Sequence, residues 1–286
     1  MKKKAVSFTL ISIFIFVFFS SGYATRFNLR FSGGPTYLSL KSTNAILQDR
    51  ELYLKKYTEN HIMGQFLKGT TPGFHLGMDF EGEITAFLSP RWALGISTGY
   101  IYGELSEKNS ALTLQRRNNS FHYASLTTVS AFPLTVCGYY FLPINKPIDI
   151  YTKLSGGFIW AQYAHRRALK KVEASKYEYQ YIQKASAHSP VLTSGLGIMY
   201  EVDKGISFFT EVNFRYARVN GFKHKGQKGK TKHLFYFEEY IPSFQIWQSK
   251  KESLAEKPKG ENFRSVREGV VDFSGLSVKI GFMIQF

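Results

Sequence analysis

Cysteine is nearly missing from this chain: Cys137 stands alone among 286 residues. One thiol forbids an internal disulfide and cannot build a thiolate metal cluster, so Cys137 reads as a small residue of a wall or core. Long hydrophobic runs are scarce as well. Beyond the N-terminus no stretch is long and apolar enough to cross a bilayer as a helix, and mean hydropathy is only -0.19. Acidic residues are the third shortage, 21 against 37 Lys plus Arg. Aromatic residues, by contrast, are plentiful at 16 %, with 26 Phe and 18 Tyr. Such a chain is exported without arrest, and it can still meet lipid through side chains at every second position.

The single greasy run lies at the start. Lys2, Lys3 and Lys4 precede the apolar stretch from Ala5 to Phe19, and the small residues Gly22 and Ala24 follow. A basic start, a short apolar middle and small residues before a cut describe a secretory signal peptide over residues 1–24, leaving 25–286 as the mature chain. The alternative, an uncleaved anchor, needs roughly 20 apolar residues to span a bilayer. Export also removes nucleic acid from the expected partners, although the chain is basic.

Period-two alternation then recurs eight times. Candidate strands run from about Arg26 to Leu40, Phe74 to Leu88, Trp92 to Glu104, Tyr123 to Leu142, Ile148 to Tyr163, Pro190 to Val202, Ile206 to Val219 and Asp272 to Phe286. Each sets an aromatic-rich apolar parity against a small, polar or charged one, as successive side chains of a strand face opposite ways. Trp92, Leu94, Ile96, Tyr100 and Tyr102, for example, oppose Gly95, Ser97, Gly99 and Gly103. Pro133, which cannot donate to a ladder, marks a bulge or an interrupted ladder in the fourth strand.

Connection lengths alternate too. Strands two to three, four to five and six to seven are joined by short turns. The other connections, Lys41 to Gly73, Leu105 to Phe121, Ala164 to Ser189 and Asn220 to Gly269, are long. Short turns at one end with both termini, and long loops at the other, predict an all-β fold: an eight-stranded antiparallel up-and-down transmembrane β-barrel with short periplasmic turns and four long extracellular loops. A soluble barrel of the lipocalin kind would put the apolar parity inside, around a ligand. Here the charged parity suits the interior of an inside-out protein.

The last strand ends on an aromatic. Lys279, Gly281, Ile284 and Phe286 resemble the C-terminal assembly signal of outer-membrane β-barrels, and the even-numbered alternation resembles the small eight-stranded barrels of the OmpA transmembrane domain, OmpX and OmpW. The resemblance implies a fold and a place, the cell outer membrane. That place makes outer-membrane lipid an expected partner, and the terminal signal makes the barrel assembly machinery another, through the C-terminal strand. The resemblance implies no activity.

On the inward parity fall Arg30, Asp79, Glu81, Glu83, Lys153, Glu211, Arg215 and Lys279, four acids and four bases. Eight strands enclose a space that side chains just fill. An unpaired buried charge costs about 3–5 kcal/mol, so these eight are expected to pair into a plug rather than line an ion path. The excess positive charge is expected at the opposite place, the long loops. With Glu104 counted in the second, they hold 5, 3, 6 and 11 basic residues against 3, 2, 2 and 6 acidic ones. Arg166, Arg167, Lys170 and Lys171 form one basic cluster; Lys223, Lys225, Lys228, Lys230 and Lys232 form a second. Such a rim either meets lipopolysaccharide phosphates or only keeps solvated loops soluble. The aromatic stretch Phe235, Tyr236, Phe237, Tyr240, Phe244 and Trp247 is too greasy for a free loop and is expected to extend strands or fold over the barrel mouth; an extracellular protein partner is the other reading.

Catalysis finds little support. His122 and Ser125 look a little like the lipid A deacylase motif, but they are three apart rather than two, which puts them on opposite faces of a strand. The seven His show no metal-ligand spacing, and no cofactor is expected. The expected role is therefore structural or surface-interacting, not enzymatic. Behind it stand a small pore or carrier for hydrophobic solutes and, further back, a lipid A-modifying enzyme.

Overall fold

The computed structural model describes residues 26–286 apart from 61–63, 70–72, 106–110, 117–118, 146, 172–176 and 226–230. The expected signal peptide lies outside the described residues. In chain order the elements are β1 (Phe27–Tyr37), α1 (Lys41–Asn60), β2 (Gly64–Lys68), β3 (Leu76–Phe87), β4 (Trp92–Leu105), β5 (Ala111–Arg116), β6 (Asn119–Asn145), β7 (Ile148–Lys171) and β8 (Tyr177–Asp203). They continue with β9 (Ile206–Tyr216), β10 (Arg218–Val219), β11 (Lys223–Lys225), β12 (Thr231–Ile241), β13 (Ile246–Leu254), β14 (Phe263–Glu268), β15 (Val271–Asp272) and β16 (Gly275–Gln285).

Eight of these strands close a ring. β1 pairs β3, and pairing then runs through β4, β6, β7, β8, β9 and β16 back to β1, antiparallel throughout. At the seam Asn28 faces Gln285 and Thr36 faces Ser277, and the Phe286 amide donates to the Phe27 carbonyl at 2.8 Å. Closure leaves no edge in the ring, which is how a sheet satisfies its backbone without water. Three short turns share one end of the ring with the start of β1 and the end of β16. In the last of them Gly205 sits at φ 82°, the left-handed region a tight hairpin demands, while the Asp203 carboxylate accepts from the Lys204 amide at 2.7 Å. Pro133 produces no bulge. It faces Ile159 in unbroken register on one side; towards β4 the ladder skips Gly99 and Tyr100 without a shift.

Alternation sorts the side chains as the sequence led us to expect. Phe80, Trp160 and Ile280 are exposed on the outer wall, whereas Asp79 and Lys279 are buried within. The outer apolar face forms a belt with aromatic residues at both margins. Trp92 packs on Tyr140 with ring centroids 4.8 Å apart at the short-turn end, and Tyr100 on Phe132 at 4.9 Å towards the other. On β4, Trp92 and Tyr102 bracket the belt. A strand rising about 3.3 Å per residue and tilted about 40° separates them by about 25 Å, the height of the apolar band of outer-membrane barrels.

Four features go beyond the sequence reading. Much of the long connections is regular structure: β6, β7 and β8 run well past the belt, because their ladders continue from Ser130–Gln162–Ser186 up to Phe121–Lys171 and Lys170–Tyr177. The first long connection contains the helix α1, which buries Thr43, Asn44, Ile46, Leu47 and Leu54. The last folds into a sheet, with β12 between β13 and β14, so Leu234, Tyr236 and Phe237 are buried in the cap. Alternation also stops one step early at the start of β3. Phe74 precedes the strand and turns into the core, its amide and carbonyl both held at 3.1 Å by the Asn44 side chain.

The interior is layered, which parity alone did not disclose. Towards the short turns Ala93, Tyr139, Phe141, Tyr151, Met199, Phe209 and Met283 form a buried apolar layer. The charged residues lie above it. A second apolar layer, including Leu38, Leu40, Ile101, Val129, Ile159, Val191, Phe222, Leu234 and Phe273, closes the interior towards the cap. Phe222 and Phe273 are fully buried. Phe222→Ala is expected to destabilise the cap and upper layer by about 3–5 kcal/mol, the usual cost of emptying an aromatic site; the urea midpoint of the refolded protein measures it.

Candidate functional site

All eight inward-parity charges converge between the two apolar layers. Lys153 on β7 is the centre: its ammonium lies 2.7 Å from Glu81, 3.1 Å from Glu83 and 3.8 Å from Glu211. Lys279 on β16 reaches Glu81 at 2.7 Å and Asp79 at 3.2 Å. Arg215 on β9 holds the other oxygen of Asp79 at 2.6 Å, donates to the Phe273 carbonyl at 2.9 Å and reaches Thr36 at 3.2 Å. Arg30 on β1 meets Glu211 at 3.3 Å. Every one of the eight therefore has an opposite charge within ion-pair distance.

Aromatic hydroxyls and faces finish the layer. Tyr139 donates to Glu83 at 2.5 Å, Tyr151 donates to Glu211 at 2.9 Å, and Arg30 donates to the Tyr151 oxygen at 2.7 Å. The Arg30 guanidinium also lies over the rings of Phe209, Tyr139 and Tyr151 at 4.3, 4.6 and 4.8 Å. A planar cation suits this place because it can stack and donate at once. Gly197 makes room for the arrangement. A Cβ added there would fall 2.2 Å from the Tyr151 ring. These aromatic partners escaped the sequence reading because Tyr139 and Tyr151 occupy the polar parity, where no hydrophobic signal marks them.

Every ionic group of this layer already has a counter-charge, although Glu83 Oε1 accepts no hydrogen bond. Glu81, Glu83 and Cys137 can bring ligand atoms within 4.8 Å of one another, but Lys153 supplies the positive charge that a cation would bring. Cys137 itself is buried and contacts Ser97 at 3.4 Å. The charged layer leaves no space for a water between Arg30, Glu81, Lys153 and Glu211.

The remaining candidate residues are spread out. Lys279 and Gly281 of the terminal motif face inward, Ile284 is half-buried, and Phe286 is exposed at the wall. Arg166, Arg167, Lys170 and Lys171 lie on the extended part of β7 and are half-buried rather than in a loop. Arg167 ties the wall to the cap through Glu252 at 3.5 Å and donates to His165 at 3.2 Å. Lys223 is exposed on β11, Lys225 belongs to the same strand, and Lys232 is half-buried on β12. Lys228 and Lys230 lie outside the described residues. His122 contacts Thr113 at 3.2 Å, and Ser125 is buried on the other parity of β6, so the two are not brought together.

The cap holds one more buried cation that the sequence did not single out. Lys251 on β13 donates to the Val270 carbonyl at 2.8 Å and to Thr43 at 3.3 Å, and lies 5.0 Å from the centre of the Tyr163 ring. Burial, with Arg267 adding repulsion, lowers its pKa from 10.5 to about 7.

No protein-family model matches the sequence, and no curated protein matches it. Among solved structures the chain is similar to Neisserial surface protein A, at 7 % identity and TM-score 0.38, covering 91 % of this chain and 97 % of that one. It is also similar to Ail, the attachment invasion locus protein of Yersinia pestis crystallised with the heparin analogue sucrose octasulfate, at 8 % identity and TM-score 0.36, covering 91 % and 99 %. A third is the outer membrane protease OmpT from Escherichia coli, at 8 % identity and TM-score 0.36, covering 92 % and 97 %. At that level of likeness the barrel rests on its own strand pairing.

Two outcomes are expected. Lys153→Met leaves Glu83 without a counter-charge, while Glu81 keeps Lys279 and Glu211 keeps Arg30; it should destabilise the barrel by about 3–5 kcal/mol, with partial recovery in Lys153→Met/Glu83→Gln, read as a coupling energy from urea unfolding in vesicles. Between pH 7 and 10.5 folded Lys251 binds fewer protons than unfolded Lys251, so its contribution to stability rises with pH across that window. Comparing denaturation midpoints at pH 7 and pH 10 should therefore show a smaller rise in Lys251→Met than in the parent.

Proposed function

We propose that this chain is an outer-membrane β-barrel of Gram-negative type that does not conduct, serving as a structural or surface-interaction protein and not as an enzyme. The apolar belt sits in lipid. The short turns face the periplasm, and the capped end with α1 and β12–β14 faces outward. The observation that carries the reading is the charged layer enclosed between two apolar ones. An ion entering it would cross apolar packing at both ends and break ion pairs formed in low dielectric, so the interior works as a plug.

With the lumen closed, function falls to the surface. The basic residues on β7, β11 and β12 are suited to phosphate groups of lipopolysaccharide, and the terminal strand, with Lys279, Gly281, Ile284 and Phe286, to the barrel assembly machinery. A small pore or carrier for hydrophobic solutes would need a path into or along the barrel, and the plugged interior weighs against it.

Reconstituted into planar bilayers, the purified protein should give no steady single-channel currents, while unboiled and boiled samples differ in gel mobility as a closed barrel requires. Large, stable channels from heat-modifiable protein would defeat the plug; absence of heat modification would defeat the barrel in membranes.

A further inference from the structure

Above the belt, the outer wall changes character within one residue pair. On the outward parity Phe132 of β6, Trp160 of β7 and His188 of β8 are cross-strand partners and make up one row. The next row is Ser130, Gln162, Ser186 and, on β11, Lys223, each directly paired with the next. Beyond it Thr128 faces Ala164, which faces Lys184. Successive rows on one face of a sheet are about 7 Å apart along the strands. On β6, β7, β8 and β11 the aromatic margin thus gives way at once to hydroxyls, an amide and ammonium groups, while on β4 the same two rows carry Tyr102 and Glu104.

These rows are not flat. Together with His224 and Thr231, where the β11–β12 hairpin begins and ends, they line a cleft of about 670 Å³ against the outer wall. Its size falls in the range of about 300–1,000 Å³ typical of small-molecule sites. Among the described residues, none that lines it is acidic. Lys184 and Lys223 are exposed and both contribute to it.

We propose that this cleft binds the phosphate-bearing sugar headgroup of an outer-leaflet glycolipid. The inference rests on the membrane placement proposed above and assigns the phosphate contact to a definite place. Three observations converge on this ligand. The two lysines and His224 supply positive charge or proton donation, and the nearest cross-strand carboxylate, Glu104 opposite Thr128, lies on β4 at the far side of the rows from Lys184 and Lys223, which selects an anion at the lysine side. Ser130, Thr128, Ser186, Thr231 and Gln162 supply the neutral hydrogen-bonding groups that a sugar needs. The position decides the source: a headgroup held in the polar rows leaves its acyl chains to run down over Phe132, Leu134, Phe158 and Trp160, which are exposed on the same strands. A soluble sugar phosphate would share the chemistry but gain nothing from those four side chains.

The test uses the full mature chain in nanodiscs of neutral phosphatidylcholine, titrated with a bis-phosphorylated glucosamine-disaccharide lipid and with the same lipid after its phosphates are removed. Lys184→Gln/Lys223→Gln should weaken binding of the phosphorylated lipid by about tenfold or more, since two charge-assisted bonds are lost. Lys257→Gln/Lys259→Gln, an equal charge change at exposed cap residues, should leave it unchanged. The dephosphorylated lipid should bind the parent as weakly as the phosphorylated lipid binds the cleft variant, and Lys184→Arg/Lys223→Arg should restore binding. Equal affinity in the parent and the cleft variant, or equal loss in the two Gln pairs, overturns the proposal. Full competition by millimolar glucosamine 1-phosphate reassigns the cleft to a soluble ligand and overturns it as well. Heat-modifiable gel mobility of each variant, measured alongside, separates failure of the cleft from failure of the barrel reading.

Discussion

Eight ionic groups, seven of them buried and Glu81 partly so, sit inside the barrel, and the rest of it is arranged so that none of them is left alone. Their cost out of water is met only by complete pairing, because one unpartnered charge in such a place is worth several kcal/mol. The pairs also join strands that are not neighbours. Arg30 on β1 reaches Glu211 on β9 across β16, Arg215 on β9 reaches Asp79 on β3 across the closing seam, and Lys153 on β7 reaches Glu81 and Glu83 on β3 across the interior. A slip of one residue in any of these strands would turn its charges outward into the apolar belt. The ion pairs thus define register as well as fill space.

The layers above and below make this network possible. Ring faces at the short-turn end, from Tyr139, Tyr151 and Phe209, pack beneath Arg30, while the aliphatic and aromatic residues towards the cap exclude water from the opposite side. Exclusion strengthens each ion pair by lowering the local dielectric, and the ion pairs in turn fasten the walls that exclude the water. Among the described residues the space at the charged layer is too small for a water molecule. That is why the outer wall above the aromatic margin, where polar rows meet the β11–β12 hairpin, is the place where recognition is proposed.

Much of the barrel was legible residue by residue. Val212, Phe214 and Tyr216 against Glu211, Asn213 and Arg215 could be sorted by parity, because one face meets an apolar surround and the other does not. The eight interior charges were legible for the same reason. The extended portions of β6, β7 and β8 were not, because beyond the belt the outward face meets water: Lys184, Ser186 and His188 alternate with residues no more polar than themselves, so the contrast disappears although the strand continues. The cap was hidden differently. Thr43, Asn44, Ile46, Leu47 and Leu54 are buried by α1, yet the mixture of polar and apolar residues on that face gives no clean helical stripe. Tyr139 and Tyr151 carry both a greasy ring and a hydroxyl, so parity alone could not say that they seal the charged layer.

By itself the sequence determined the two-faced strands, their number, the alternation of short and long connections and the identity of the charges that face inward, since these follow from a period of two and from turn chemistry acting locally. Only the tertiary structure decided which acid meets which base, that apolar layers close the interior on both sides, that the last long connection folds into the mouth as β12–β14, and that Lys184 and Lys223 share a cleft. The physical reason is distance along the chain: Lys153 and Glu81, or Arg215 and Asp79, become neighbours only when the sheet closes on itself, and no local pattern records which residues that closure brings together.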